Sequence, residues 1–420
     1  MYIFPLMLGG GMLKNPQTRD WQALHRKATV VDIHAHPSMK AAFFHRNLGR
    51  RARMAVPFAN PFDLRTGFAK LNDGGVDVLL SAATVPEKPL FDDFRAARLL
   101  RILRPGLWRK FLAPPYFEAT ENVLQVMEDE VVKFKPGKGQ RGVTLVRNYA
   151  ELEALLTQPD ASRPIALIHT IEGAHSLEGQ ASASGESTQV VEAEVLANLD
   201  AFAKRGIASI TLAHFYPNRL VSSTFPFPED LQFFLGTEKA QRDLTEGLSA
   251  LGEKVVEKMV EHGIIIDVAH CTPSARKRIY DIVGNRKPIV ASHVGVYGLN
   301  PDPYNLEDWE LERIAKSGGV VGVIFMNYWL TATHRRNGLN FVAQTIAYIV
   351  NKVGIEHVAI GTDFDGFSDP PDDLKESSEM GRLTRHLASA CDDAGVQYSD
   401  DAIGKMLGAN ALRVLNDGWG

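Results

Sequence analysis

The sequence predicts an α/β fold, a (β/α)8 TIM barrel with a long helical insert between its second and third strands. Eight short apolar runs rich in Val, Ile and Leu recur along the 420 residues, and segments with helical periodicity lie between them. Runs that are apolar almost throughout suit strands buried on both faces, as in a parallel sheet. Eight alternations of strand and helix are the number that closes such a barrel, so we expect one barrel over residues 1–420.

Each predicted strand is bounded by Gly, Pro or polar residues. The strands cover residues 30–36, 77–85, 164–173, 207–214, 263–270, 288–295, 318–325 and 357–366. A doubly wound open sheet is the alternative architecture. No G-x-G-x-x-G motif follows a predicted strand, which leaves the nucleotide-binding version of that alternative with little support.

The helices are clearest in the second half of the chain. Residues 245–263 place apolar side chains on one stripe and end at Gly263, and residues 306–319 and 341–354 behave similarly. The connection 86–163 is too long for a barrel loop, so we expect an insert with secondary structure of its own, in the position of a lid. Residues 1–27 are expected to form an N-terminal arm.

Composition excludes several classes of protein. A formal net charge of −4 and an isoelectric point near 6.4 argue against a nucleic-acid partner. Cys271 and Cys391 are the only cysteines, so no disulfide framework holds the fold. The first 13 residues are apolar but too short to span a membrane. We therefore predict a cytoplasmic location without a membrane span, although the apolar start leaves export to the periplasm open.

Chemically useful side chains are concentrated where predicted strands end, which in this type of barrel is the catalytic edge. Five of the 13 histidines fall there, together with two carboxylates. A single strand-end histidine is usually a structural group, but this many converging on one edge indicates a metal or catalytic cluster. The residues are His34, His36, Glu172, His214, His270, His293 and Asp363.

The types of these side chains indicate the class of metal. Imidazole nitrogens and carboxylates without a thiolate suit Zn²⁺, or Mn or Fe in a looser site. Cys271 directly follows His270 and is expected to point to the opposite side of the strand, into the core. His34, His36, His270 and His293, with Glu172 as a shared carboxylate, are enough ligands for two ions.

Six motifs in matching order, from about residue 28 to 416, resemble the membrane dipeptidase (renal dipeptidase) family of the amidohydrolase superfamily, peptidase family M19. They are IEGAHSLEG, ITLAHFYPN, LGEKVVEKMVEHGIIIDVAHCT, SHVGVYG, GTDFDG and GANALRVL. The resemblance implies a barrel with two zinc ions that hydrolyses dipeptides, including some with a D-residue at the C-terminal position, by a metal-bridged hydroxide. It also suggests a homodimer.

The resemblance further implies a role for each matching residue. Glu172 matches the carboxylate that bridges the ions, His270 and His293 match ligands of one zinc, and His34 matches a ligand of the other. His214 matches the histidine that polarises the substrate carbonyl, and Asp363 matches the acid/base that handles the proton. Candidate substrate contacts are Asn218, Arg219 and Tyr297.

Two positions depart from the family pattern. His36 stands where the family usually has Asp, which makes the cluster more cationic and predicts a more acidic bridging water or weaker occupancy of the second metal. Tyr304 precedes Asn305 where the family typically has the Arg that grips the dipeptide carboxylate. Arg219 or the arginines of residues 46–53 could supply that charge instead. The alternative function is therefore hydrolysis of a modified peptide, amide or lactone that lacks a free C-terminal carboxylate.

Overall fold

The computed structural model describes residues 19–56, 60, 62–93, 99–159, 163–224, 243–331, 338–366, 369–390 and 397–420. Its nine strands pair in parallel throughout, as expected for runs buried on both faces. The strands are β1 (Val30–Ala35), β2 (Val76–Ala83), β3 (Val143–Val146), β4 (Ile165–Glu172), β5 (Ser209–Thr211), β6 (Ile265–Asp267), β7 (Ile289–Val294), β8 (Val320–Val323) and β9 (Val358–Ile360).

Eight of these strands close into a barrel, which confirms the predicted fold. The sheet runs β2-β1-β9-β8-β7-β6-β5-β4, and β2 pairs with β4 to complete the ring. That closing register extends from Val78 opposite Ala166 to Ala83 opposite Ile171. β3 pairs only with the first half of β4, Ile165–Ile168, and takes no part in the closure.

Helices surround the barrel and fill the connections between its strands. Three helices predicted from the sequence correspond to α11, α13 and α15. The helices are α1 (Trp21–Lys27), α2 (Pro37–Phe44), α3 (Phe68–Asp73), α4 (Lys88–Asp93), α5 (Leu100–Leu103), α6 (Pro105–Leu107), α7 (Tyr116–Lys133), α8 (Tyr149–Leu156), α9 (Gln180–Ser184), α10 (Thr188–Arg205), α11 (Ala250–His262), α12 (Pro273–Val283), α13 (Asp308–Lys316), α14 (Asn327–Leu330), α15 (Gly338–Val353), α16 (Gly381–Ser389), α17 (Asp400–Gly404) and α18 (Asn410–Gly418).

α11 shows how the sequence sets the limits of a helix. The Ser249 side chain accepts a hydrogen bond from the Gly252 N–H at its start, and Gly263 follows its end with φ +66°. That left-handed conformation is one that glycine adopts without a Cβ clash. Val255, Val256 and Met259 are fully buried on the stripe that packs against the barrel.

Two hydrophobic layers hold the barrel together. Inside the ring, side chains such as Ile33, Leu80 and Ile168 pack above residues of α18, which closes the end opposite the strands' carboxyl ends. Outside it, the alternate side chains of the strands pack against the surrounding helices. Because both layers are apolar, the polar residues of the strands are left to gather at the carboxyl edge.

The segment 86–163 contains a strand that the sequence analysis did not predict. It carries α4 to α8, as an insert rich in helices should, but β3 lies between α7 and α8. The first three residues of β3 are only half-buried, and its four-residue run VTLV is shorter than each of the eight runs predicted as strands. Residues 1–18 of the predicted arm, and Cys391, lie outside the described residues. Among the described residues, no helix combines the length and the apolar character that crossing a bilayer requires.

Candidate metal centre

Glu172 lies at the centre of a cluster that contains every predicted metal ligand. It ends β4 on the side that faces the barrel interior, and its carboxylate is buried. Five imidazoles surround its two oxygens. Nε2 of His34, His270 and His293 each lie 3.3 Å from Oε1, whereas Nε2 of His36 and His214 lie 3.4 and 3.2 Å from Oε2.

An irregularity in β1 aims two of these histidines at the cluster. The pairing of β1 with β2 is interrupted between Asp32 and Ala35. Ile33 packs inside the barrel and Ala35 packs outside it. His34, which lies between these two residues, and His36, which follows them, both reach Glu172. Such interruptions re-aim side chains next to active sites. Asp363 completes this side of the cluster, with Oδ1 3.2 Å from His36 Nε2.

Two residues of the site have a backbone conformation that is rare for side chains other than glycine. His270 has φ +65° and Asp363 has φ +54°, and each lies three residues beyond the end of its strand. Residues are held in this left-handed region when the surrounding structure demands it, which is frequent at functional sites. The observed strands β6 and β9 end before the positions predicted from the sequence, and His270 and Asp363 lie on the loops that follow them.

The distances between the donor atoms fit bound metal. Two ligands of a tetrahedral Zn²⁺, each about 2.0–2.1 Å from the ion, are roughly 3.3 Å apart. In this site the Nε2 atoms of His34 and His36 are 3.1 Å apart, and those of His270 and His293 are 3.0 Å apart. Three overlapping sets of donors bring their ligand atoms within 4.8 Å of one another: His34, Glu172 and His293; His34, His36 and Asp363; and Glu172, His214 and His270.

The charges in the site also suit metal binding. Burial alone would raise the pKa of Glu172, but the neighbouring imidazoles of His214, His36 and His34 hold it well below its usual value. Burial lowers the pKa of His270, and that of His293 to well below its ordinary range. An ionised carboxylate and neutral imidazoles are the protonation states in which these groups bind a metal. Glu172, His270 and His293 are shifted toward those states, whereas, against the effect of burial, the Glu172 carboxylate raises the pKa of His34, so binding of metal there displaces a proton.

His214 is held by a carboxylate that the sequence analysis missed. Oε1 of Glu87 lies 3.1 Å from His214 Nδ1 and accepts hydrogen bonds from the N–H groups of Phe215 and Tyr216, at 2.8 and 3.2 Å. Against the effect of burial, Glu87 and Glu172 raise the pKa of His214 to about 9. Glu87 follows the second predicted strand by two residues, so the strand-end rule applied to that strand would have found it.

A cavity of about 150 Å³ opens beside the cluster. Its polar wall carries Glu87, Glu172, His214, His270 and Asp363. Its apolar wall contains aromatic and aliphatic side chains from the loops around the barrel mouth. They include Met39, Leu90, Phe215, Tyr304, Met326, Tyr328 and Trp329.

The three predicted substrate contacts are not among the described residues that line this cavity. The Asn218 side chain binds the backbone of its own loop, donating to Leu212 O and accepting from the N–H groups of Leu220 and Val221. Arg219 pairs with Glu178, with Nε 3.4 Å from Oε2, and Tyr297 is 40% exposed. Their assignment as substrate contacts therefore gains no support from the geometry of the cavity.

Comparisons with known proteins identify the family to which the chain belongs. Residues 18–418 match the family model of the membrane dipeptidases, peptidase family M19. The chain is 33% identical over 229 residues to an uncharacterised protein in the pqqA 5′ region of Klebsiella pneumoniae, covering 53% of this chain and 76% of that one. It is also 33% identical over 172 residues to the dipeptidase aclJ of Aspergillus oryzae, covering 41% of this chain and 39% of that one.

A crystal structure with the same fold is that of a metallo peptidase from Rhodobacter sphaeroides, liganded with a phosphinate mimic of the dipeptide L-Ala-D-Ala. It has 19% sequence identity and a TM-score of 0.67, and the match covers 93% of this chain and 99% of that one. The family match over nearly the whole chain, together with the cluster around Glu172, assigns the protein. The chain belongs to the membrane dipeptidase family, peptidase family M19, and is a metal-dependent hydrolase of that type.

Proposed function

We propose that this chain is a dipeptidase that hydrolyses the peptide bond of dipeptides with two Zn²⁺ ions, for which Glu172 would be a shared ligand. His270 and His293 would hold one ion, and His34 and His36 the other. The observation that carries the proposal is the position of five imidazoles around the two oxygens of one buried carboxylate. Bound zinc supplies Lewis-acid polarisation and lowers the pKa of a coordinated water toward about 7.

The chain's own residues provide the remaining chemistry. His214 carries a proton on Nε2 and offers it as a hydrogen bond to the substrate carbonyl oxygen as negative charge develops there. Asp363, whose carboxylate reaches the cavity beside His36, takes up a proton and delivers it to the leaving amine. The aromatic wall of the cavity keeps bulk water from this step.

A panel of dipeptides, including pairs with L- and D-residues at the C-terminal position, tests this proposal. The mimic of L-Ala-D-Ala bound to the Rhodobacter enzyme supports including the D-residue pairs. We expect turnover that stops with a chelator and returns with Zn²⁺, and two zinc ions per chain. A metal-loaded protein that hydrolyses no member of the panel would contradict the proposal. The predicted homodimer and cytoplasmic location stay predictions.

The alternative substrate, one without a free carboxylate, has an observation in its favour. In the described part of the cavity wall, no Lys or Arg side chain is present to bind a carboxylate. Tyr304, at the position of the expected Arg, donates a hydrogen bond to His293 O at 2.7 Å and stacks on Trp329 at a ring distance of 4.2 Å. Comparing each dipeptide with its C-terminal amide decides between the two. Faster hydrolysis of the free acids supports the dipeptidase, and the reverse supports an amidohydrolase.

A further inference from the structure

We infer that Ser292 is a positioning residue whose single hydroxyl fixes one histidine ligand of each metal ion, His34 and His293, in the tautomer that binds metal. The inference rests on the proposed two-metal function, because it assigns these histidines to different ions. It concerns groups beneath the metal centre, on the side away from the substrate cavity.

The geometry places Ser292 between the two rings. Its Oγ lies 2.8 Å from His293 Nδ1 and 3.3 Å from His34 Nδ1. The two rings stack with centroids 3.8 Å apart, so one hydroxyl can reach both. On the other side, the Ser292 hydroxyl donates a hydrogen bond to Oδ2 of Asp267. All four side chains are buried.

The surroundings of Asp267 decide the direction of these hydrogen bonds. Its Oδ1 accepts from the backbone N–H groups of Ala269 and Ser292, at 3.1 and 2.9 Å, and its Oδ2 also accepts from Thr211 Oγ1 at 2.6 Å. A carboxylate only accepts, and a serine hydroxyl has a single proton to donate. Because Asp267 takes that proton, Ser292 Oγ is left as an acceptor for both imidazoles.

The consequence is a defined tautomer for both histidines. With Nδ1–H directed at Ser292, the Nε2 atoms of His34 and His293 carry no proton and present a lone pair toward Glu172. The Nδ1 atoms of His36 and His270 have no hydrogen-bond partner within the described residues. Of the four proposed histidine ligands, those two therefore lack such a support, and the two that have it share one hydroxyl.

Two substitutions test the inference through metal affinity, measured by titrating zinc into the metal-free full-length protein against a competing chelator. Asp267→Asn is nearly isosteric. Its carbonyl oxygen must face the two backbone N–H groups, so its NH2 group donates to Ser292 and turns the single serine proton toward one of the two histidines. Ser292→Ala removes the hydroxyl, although water can enter the neighbouring 20 Å³ cavity. Ser81→Ala is the matched control, a fully buried serine whose hydroxyl has no partner among the described residues.

Of the two ions, we expect Asp267→Asn to weaken the binding of the one whose histidine receives that proton by roughly 10- to 100-fold, the usual cost of losing such a support. Ser292→Ala should weaken both by a smaller factor, and Ser81→Ala should stay within about twofold of the wild type. Urea unfolding of each metal-free variant separates loss of affinity from general destabilisation. Wild-type affinity for both ions in Asp267→Asn, or a loss confined to one ion in Ser292→Ala, would overturn the inference alone. A wild-type chain that binds no zinc would overturn the proposed function and, with it, the inference.

Discussion

Replacing Glu87 by glutamine removes the charge beside His214 and keeps the hydrogen bonds around it. The amide oxygen of glutamine can still accept from the N–H groups of Phe215 and Tyr216, as Glu87 Oε1 does. The same oxygen still accepts from His214 Nδ1. The substitution therefore tests the electrostatic role of Glu87 with little change in the position of the histidine ring.

The pKa of His214 sets the size of the expected effect. Burial opposes the charged form, yet the pKa rises from 6.5 to about 9, with Glu87 as the largest contribution that raises it. That difference corresponds to roughly 3 kcal/mol in favour of the cation. Losing the larger contribution should lower the pKa by at least about one unit. A neutral imidazole whose one proton stays on Nδ1 has none on Nε2 to donate to the developing oxyanion, so at a pH above both pKa values kcat should be about tenfold lower than in the wild type.

The assay is the pH dependence of kcat with zinc-saturated enzyme. The cation of His214 is present below its pKa, so the activity that depends on it is lost as the pH rises through that value. In Glu87→Gln, this alkaline fall should begin at least about one pH unit earlier than in the wild type. Glu130→Gln is the control, because Glu130 Oε2 likewise accepts from a backbone N–H group, that of Leu48 at 3.0 Å, and none of the described histidines bonds to it. An unchanged pH profile and kcat in Glu87→Gln would refute the reasoning.

Three further results are expected. Gly366→Ala should lower kcat at least tenfold with little change in melting temperature, since the new Cβ would collide with the Asp363 carboxylate; full activity would contradict this. Glu310→Ala should lower the free energy of unfolding in urea by ~3–5 kcal/mol, because Arg276 would lose its buried partner at 2.5 Å; a loss below 1 kcal/mol would contradict this. Removing metal should lower the melting temperature, because each ion at 100-fold above its Kd contributes about 2.7 kcal/mol of stability; an unchanged melting curve would argue against a bound ion.

The barrel could be predicted because its strands are buried on both faces and therefore stand out as apolar runs. β3 could not, since its residues Val143–Leu145 are half-buried and the strand pairs with only half of β4. The predicted strands also extended too far toward the C-terminus compared with the observed strands. The sequence continues to be apolar after the backbone has left the sheet, as at Val268 and Ala269, which are buried in the loop before His270.

The cluster around Glu172 could be predicted because imidazoles and carboxylates at the ends of apolar strands have few structural roles. The groups that support them were missed for a physical reason. Asp267 and Ser292 lie one layer deeper in the barrel, where a short polar residue looks like an ordinary interruption of a strand. A carboxylate within an apolar run, as in Asp267 of GIIIDVAH, was the available signal, because a buried charge requires several partners.

The direct pairing of β2 with β4 has a consequence for how this enzyme can change. Closure of the ring uses none of the eighty or so residues that leave the first of these strands and return to the second. The parts of that excursion that do not pack on the core, unlike α7 with its buried Val123 and Leu124, can therefore change while the ring stays closed. Glu87 belongs to the excursion rather than to the scaffold. Changes in this segment can therefore alter the pKa of His214 while the residues of the barrel stay the same. A chimaera that exchanges the segment would carry that change in pKa with it.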